Sequence, residues 1–334
     1  MLKSSLPIKA RIVATGSYVP ERILTNEDLE KMVDTSAEWI WTRTGMKERR
    51  IAAEGQFTSD MGYEAAKRSL EKAKISAQEI DLILFATLTP DYLFPSTACL
   101  LQARLGATGS AALDIQAACT GYLYGLSLAK ALIESGAYRT VLLVAAEKLS
   151  SIVNYTDRNT CVLFGDGAAA CVIRGEGPGF LIHNVTLGAD GEQAELLVLP
   201  AGGSKRPASQ ETIASGLHYI KMEGKEVFKH AVRRMEMASK ETLVQSGFTE
   251  SSLGWMIPHQ ANIRIIEALA KRFELPMDKV YMTLHKYGNT SASSLGIALD
   301  EFCSEITPIP KAPILLTAFG AGLTWGACVL THGE

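Results

Sequence analysis

The sequence predicts an α/β chain built from two halves of similar order. Three observations carry that prediction. Strand-like and helix-like runs alternate along the 334 residues. Several strand runs are apolar at every position, as strands covered on both faces must be, rather than at every second one. The order of elements on either side of a turn-rich break at Gly175-Glu-Gly-Pro-Gly179 is also the same. In the first half a helical stretch at 61–73 leads to the apolar strand 80–86. A short strand at 113–115 follows, then Cys119, a helix patterned by Leu123, Leu126, Leu128 and Leu132, and strands at 140–146 and 168–173. In the second half a helix at 227–243 leads to strands at 255–257 and 280–283, a helix opening at Asn289, and a strand at 313–318. The halves are assigned to residues 1–174 and 175–334. Cys119-Thr120 then corresponds to Asn289-Thr290, and both pairs open helices at the centre of a two-fold-related core.

Composition bounds the function. With 47% hydrophobic and 21% charged residues the chain has ample material for a core. A net charge of −3 gives no global electrostatic case for nucleic acid or an anionic membrane surface. No uncharged apolar run reaches the roughly 18 residues of a spanning helix, so no membrane insertion is expected. The leading stretch from Met1 to Ala10 lacks the apolar core of a signal peptide. Six scattered cysteines without a CxxC pair suggest neither a disulfide framework nor a zinc site, and a cytoplasmic location is expected.

Cys119 stands apart from the other five cysteines. It lies between a strand and a helix, flanked by Ala117, Ala118, Thr120 and Gly121, and is expected to be accessible. At a helix start, unpaired backbone N–H groups and the helix dipole favour a thiolate. Of six histidines, His259 alone follows a buried-looking strand and a proline and precedes a helix expected near Ala261. That places it at the carboxyl end of a strand, where open α/β sheets hold ligands. Asn289 reads as a helix N-cap, a donor, or both. Together the three make an acyl-transfer set, a thiolate nucleophile with two neutral donors for a developing oxyanion. The turn Phe319-Gly-Ala-Gly-Leu-Thr-Trp-Gly326 is either a tight strand connection or a source of further N–H donors. A papain-like Cys/His/Asn hydrolase has the same residue types, but its cysteine motif and near-N-terminal cysteine are missing.

The segments Val33-Asp-Thr-Ser-Ala-Glu-Trp-Ile-Trp-Thr-Arg-Thr-Gly-Met-Lys-Glu-Arg-Arg-Ile, Ala118-Cys-Thr-Gly, Thr156-Asp-Arg-Asn-Thr, Phe164-Gly-Asp-Gly-Ala, Pro258-His-Gln-Ala-Asn, Gly288-Asn-Thr-Ser-Ala-Ser and Phe319-Gly-Ala-Gly-Leu-Thr-Trp-Gly resemble those of the β-ketoacyl-[acyl-carrier-protein] synthase III family. The resemblance spans about residues 12–330 and implies a thiolase-like fold with a layered αβαβα core. It implies that Cys119 takes an acyl group, by default acetyl, from acyl-coenzyme A. His259 and Asn289 then support decarboxylation of malonyl-acyl-carrier protein and hold the enolate that attacks the thioester. Backbone N–H groups of Cys119 and Ala321 form the oxyanion hole. No metal or redox cofactor is implied, coenzyme A thioester being a substrate.

The resemblance implies that the family's coenzyme A tunnel maps onto Thr35, Trp39, Arg43, Arg158, Gly224, Phe228 and Asn262, and the chemistry agrees, since indole and guanidinium groups stack on adenine and Arg pairs with phosphate. Without the resemblance, Arg43 and Arg158 read equally well as surface salt-bridge partners. Acidic carrier protein is expected to dock on Lys229, Arg264, Lys271 and Arg272. Phe94 falls near a partner subunit's acyl pocket, which implies a homodimer. One departure is the turn Gly320-Ala321-Gly322, where the family has three glycines. The nearest rival is a secondary-metabolism condensing enzyme of the same fold with another acyl primer or with malonyl-coenzyme A. Thiolase is disfavoured because Asn289 stands where its second cysteine would be, and hydroxymethylglutaryl-coenzyme A synthase because no catalytic Glu is evident.

Overall fold

Apolar residues on both faces of a strand require a layer on each side, and that requirement organises the whole molecule. The structure is a computed structural model that describes residues 8–333; residues 1–7, most of the leading stretch read for a targeting segment, lie outside the described residues. Nine strands share one sheet: β1 (Arg11–Tyr18), β2 (Leu82–Ala86), β3 (Ala111–Ile115), β4 (Thr140–Glu147), β5 (Gly167–Arg174), β6 (Phe180–Ala189), β7 (Trp255–Pro258), β8 (Ile314–Gly320) and β9 (Thr324–His332). Their order is β7-β8-β9-β6-β1-β5-β4-β2-β3. Outward from the central β6–β1 contact, β1-β5-β4-β2-β3 on one side is answered by β6-β9-β8-β7 on the other. Inner pairs are antiparallel and outer pairs parallel on both sides.

The fifth place on the second side is a single bridge between Met256 and Val280. The strand expected at 280–283 is therefore reduced to one rung. The buried Gln260 side chain explains this, because its Oε1 accepts the N–H groups of Thr283 (2.9 Å) and Leu284 (3.1 Å) and turns the chain into the short helix Leu284–Tyr287.

Six helices cover the strands: α1 (Thr58–Ala73), α2 (Thr97–Leu105), α3 (Gly121–Glu134), α4 (Gly224–Gln245), α5 (Ile263–Arg272) and α6 (Ser293–Glu305). Strand parity assigns them to layers. Leu82, Leu84 and Ala86 of β2 pack with Leu123 and Leu126 of α3 and Leu295 and Leu299 of α6. Ile83 and Phe85 point the other way, onto Met61 and Ala65 of α1 and Leu101 of α2. In β8, Ile314, Leu316 and Ala318 join the α3–α6 cluster, whereas Leu315 and Phe319 join Met235 of α4 and Ile266 of α5. The layers thus run α–β–α–β–α, a thiolase-like architecture with α3 and α6 between the two halves of the sheet. Each buried Leu, Ile or Phe contributes about 1.5–3 kcal/mol, so strands buried on both faces are the most strongly specified part of the chain. The exceptions are the later part of β6 and β3, which forms an edge of the sheet with Leu113 43% exposed.

Candidate active site

Since α3 and α6 are the two central helices, the segments entering them meet in the middle of the molecule. Cys119 sits in a 3-10 turn (Ala118–Thr120) leading into α3, after Ala118 at φ +45°. A non-glycine residue in the left-handed region is strained and needs surrounding structure to hold it there. Two contacts provide that support. Thr120 Oγ1 donates to Ala117 O (2.6 Å) and lies 2.7 Å from Thr324 Oγ1 at the start of β9. Gly320, at the end of β8, lies directly against the nucleophile, so that a Cβ added there would be 2.8 Å from the Cys119 N.

Cys119 is accordingly buried, at 6% exposure, and the expectation of an open, thiolate-favouring position is corrected. Its small neighbours in sequence leave room that the β8–β9 hairpin fills. Burial pushes the thiol up to about 12, with the Ser291 hydroxyl acting in the opposite sense.

His259 follows β7, its N–H donating to Thr317 O (2.8 Å) in β8. The ring is 3% exposed, and burial lowers its pKa to about 3, so it is neutral at physiological pH. Nδ1 lies 2.6 Å from Ser294 Oγ in α6. That oxygen also accepts the Gln260 N–H at 3.4 Å. With the Ser294 hydroxyl donating to Nδ1, the neutral ring carries its proton on Nε2. The helix expected near Ala261 begins at Ile263; Asn262 is its N-cap and accepts the Arg264 N–H (2.9 Å).

Asn289 does not cap α6, whose cap position is Ala292. Its backbone is engaged elsewhere: Asn289 N–H donates to Leu163 O (2.8 Å), and its C=O accepts from Gly165 N–H (3.0 Å). Its side-chain Oδ1 accepts the Ser291 N–H (2.8 Å), which leaves the Nδ2 hydrogens free to donate.

These three residues share a cavity of about 690 Å³ with Phe319 and Gly320. Of the residues assigned to coenzyme A, Trp39, Arg43, Arg158, Gly224, Phe228 and Asn262 line the same cavity, and Thr35 does not. The Arg158 and Arg43 guanidinium carbons lie 4.9 and 6.0 Å from the Trp39 ring centroid, forming one aromatic–cationic group. Lys229 and Arg264 also line the cavity, while Lys271 and Arg272 lie away from it. Lys229 pairs with Glu226 at 2.7 Å and Arg272 with Glu236. Gly320 rather than Ala321 lines the cavity, and Phe94 projects from the β2–α2 loop at 87% exposure. Sequence reading missed Ser291 and Ser294, for which a serine-rich run was the only signal, and placed Gly320 only within a glycine-rich turn.

The contact at Gly320 makes a testable constraint. Gly320→Ala forces its methyl onto backbone that cannot move aside, and a loss of about 1–3 kcal/mol in stability is expected. Thermal unfolding and acylation of Cys119 should fall together; an unchanged melting temperature would disprove the contact.

The chain is similar to known proteins over nearly its whole length. Residues 113–191 match the family model described as 3-oxoacyl-[acyl-carrier-protein (ACP)] synthase III, and residues 243–332 match that family's C-terminal model. The chain is 62% identical to a β-ketoacyl-[acyl-carrier-protein] synthase III of Chlamydia caviae over 98% of both chains. It is 56% identical to one of Caldanaerobacter subterraneus, covering 97% of this chain and 98% of the relative. The crystal structure of 3-oxoacyl-[acyl-carrier-protein] synthase III from Aquifex aeolicus is similar at a TM-score of 0.89 and 48% identity, covering 97% of this chain and 100% of that one.

Proposed function

The chain belongs to the β-ketoacyl-[acyl-carrier-protein] synthase III family, and from that premise we propose how its residues perform the initiating condensation of fatty acid synthesis. The enzyme is an acyltransferase that condenses an acyl-coenzyme A primer, read here as acetyl, with malonyl-acyl-carrier protein. The observation that carries the residue-level reading is the convergence of Cys119, His259 and Asn289 on one cavity beside Gly320.

The Cys119 sulfur attacks the primer carbonyl and coenzyme A leaves. Malonyl-carrier protein then enters the same cavity. The bond to its carboxylate breaks, CO2 departs, and the enolate oxygen receives hydrogen bonds from His259 Nε2–H and Asn289 Nδ2–H. The enolate carbon attacks the Cys119 thioester, whose oxygen is held by the N–H groups of Cys119 and of the 320–322 turn. Collapse expels the Cys119 thiolate and releases β-ketoacyl-carrier protein. A neutral His259 suits this role, because donation without proton transfer stabilises charge only while it exists. The scheme requires no metal or redox cofactor.

Trp39, Arg43 and Arg158 provide a stacking and phosphate-pairing mouth for coenzyme A, with Phe228 and Asn262 on the wall of the same cavity. Arg264 and Lys229 are the basic groups best placed to meet an acidic carrier protein at that mouth, with Lys271 and Arg272 further along the same surface. A homodimer is part of this reading, supported by the exposed apolar run Tyr92-Leu93-Phe94, as is a cytoplasmic location. No helix among the described residues is long and apolar enough to cross a membrane.

Intact mass after incubation with acetyl-coenzyme A tests the scheme. One acetyl adduct is expected, discharged with CO2 release on addition of malonyl-carrier protein. Discharge by malonyl-coenzyme A, with none by the carrier-protein thioester, would move the chain to the secondary-metabolism reading.

A further inference from the structure

The turn assigned to the thioester oxygen is braced from outside the cavity. Pairing between β8 and β9 ends at Gly320 and Thr324, so residues 321–323 lie beyond the hairpin's own ladder. The inner end of this link is fixed toward the nucleophile: Thr324 Oγ1 lies 3.0 Å from Ala321 O and 2.7 Å from Thr120 Oγ1. The outer end is fixed to Asp190, the residue that follows β6. Asp190 N–H donates to Leu323 O and Leu323 N–H donates to Asp190 O, both at 2.8 Å, one rung past the Thr324–Ala189 pair. The chain leaves the sheet immediately afterwards, since a 3-10 turn begins at Gly191. The Asp190 side chain supplies the next constraint.

Arg234, on α4, donates from Nη2 to Asp190 Oδ2 at 2.9 Å. Its guanidinium carbon lies 4.3 Å from the Trp325 ring centroid, so the same group is stacked on β9. Trp325 packs in turn over Gly188 of β6, where an added Cβ would lie 2.4 Å from the indole. The two charged side chains are only 23% and 21% exposed, which strengthens their attraction over that of a fully solvated pair. Neither Arg234 nor Asp190 lines the cavity, but Ala231 and Met235 of the same helix do. Arg234 thus joins one wall of the cavity to the turn beside Cys119.

Resting on the acyl-transfer reading of Cys119 and of the 320–322 turn, we propose that Arg234 and Asp190 are positioning residues that set where the turn's N–H groups point. They touch no reacting atom. The ion pair fixes residue 190, the double rung fixes Leu323, and Leu323 fixes the peptide groups that precede it. Donors stabilise an oxyanion best when they are aimed at its position before charge develops. A displacement on the order of 1 Å in such a group can cost about 10²-fold in rate. The thioester oxygen at Cys119 depends on this turn in acylation and again in condensation. The malonyl enolate oxygen depends instead on His259 and Asn289, which lie on other elements. The pair therefore governs two of the three steps and leaves decarboxylation alone.

The test measures the three steps separately in the full chain: acylation by acetyl-coenzyme A followed by mass, CO2 release from malonyl-carrier protein supplied alone, and condensation. Arg234→Met keeps an unbranched stem against Trp325 and removes the ion pair. It should slow acylation and condensation about 10–100-fold, while KM for acetyl-coenzyme A and the rate of CO2 release stay within about twofold. Arg234→Lys, which keeps the cation but not the planar fork, should recover part of the loss. Asp190→Ala retains both backbone hydrogen bonds and leaves Arg234 stacked on Trp325, so it should fold even if Arg234→Met does not, and it should show the same pattern. The double variant should be no slower than the slower single one, since both changes act on one contact. Acylation at the unmodified rate in either single variant, equal losses in all three steps, or a raised KM with kcat unchanged would overturn the proposal. Absence of any Cys119 adduct in the unmodified chain would instead sink the acyl-transfer reading beneath it.

Discussion

Cys119→Ala is expected to give a folded protein that takes up no acyl group from acyl-coenzyme A and turns over about 10⁵-fold or more slowly, the scale seen when a covalent nucleophile is removed. The substitution deletes one buried sulfur and leaves the surrounding contacts intact: Thr120 still bridges Ala117 and Thr324, and Gly320 still abuts the backbone N of residue 119. Stability should change by about 1 kcal/mol or less, so loss of the adduct reports chemistry rather than unfolding. Slow decarboxylation of malonyl-carrier protein should persist, because its oxyanion donors lie on other elements. The resting thiol gives a second readout. Because burial holds it up to about 12, alkylation by iodoacetamide in the empty site should rise about tenfold per pH unit from 7 to 9, with thiolate concentration. A plateau near pH 8 would contradict the buried-thiol geometry, and an adduct surviving in Cys119→Ala would assign the nucleophile elsewhere.

What the sequence made legible follows from how local each signal was. The runs at 80–86 and 140–146 are apolar throughout because β2 and β4 have helices on both faces, so periodicity found them. β1 and β6 escaped notice because they are less uniformly covered: Arg11–Tyr18 alternates irregularly around a bulge, and Phe180–Ala189 is well buried only over its first three residues. β9 was absorbed into a glycine-rich turn whose true extent is the short link 321–323 between β8 and β9. Thr283 and Leu284 left the strand register because of Gln260, a side chain more than twenty residues earlier. The environment of Cys119 was misread for the same reason, since the β8–β9 hairpin that buries it is distant in the chain. Cys119, His259 and Asn289 were each visible from neighbouring residues. Ser294 was not, because its contact with His259 joins α6 to the loop after β7 across a long stretch of chain.

His259→Ala and Asn289→Ala should separate the two halves of the reaction. Each is expected to leave acylation of Cys119 largely intact, because neither side chain hydrogen-bonds the thiol. Each should slow decarboxylation and condensation about 10²–10³-fold, the usual effect of removing one preorganised oxyanion donor. Equal losses in acylation and decarboxylation would refute the division of labour. His259 adds a stability effect whose sign is fixed by its shift. Its folded pKa, about 3, lies below the ordinary 6.5 because burial penalises the imidazolium and no carboxylate partner compensates. The neutral ring's contribution is therefore fully present above pH 6.5 and is lost as pH falls toward 3. By pH 4.5 the lost stability amounts to about 2–3 kcal/mol. His259→Ala, though less stable at neutral pH because of the cavity it leaves, should thus show a shallower decline between pH 6.5 and 4 in denaturant titrations. Parallel declines would mean that the ring is hydrated or paired in solution, and a charged imidazolium would then enter the decarboxylation step in place of the neutral donor.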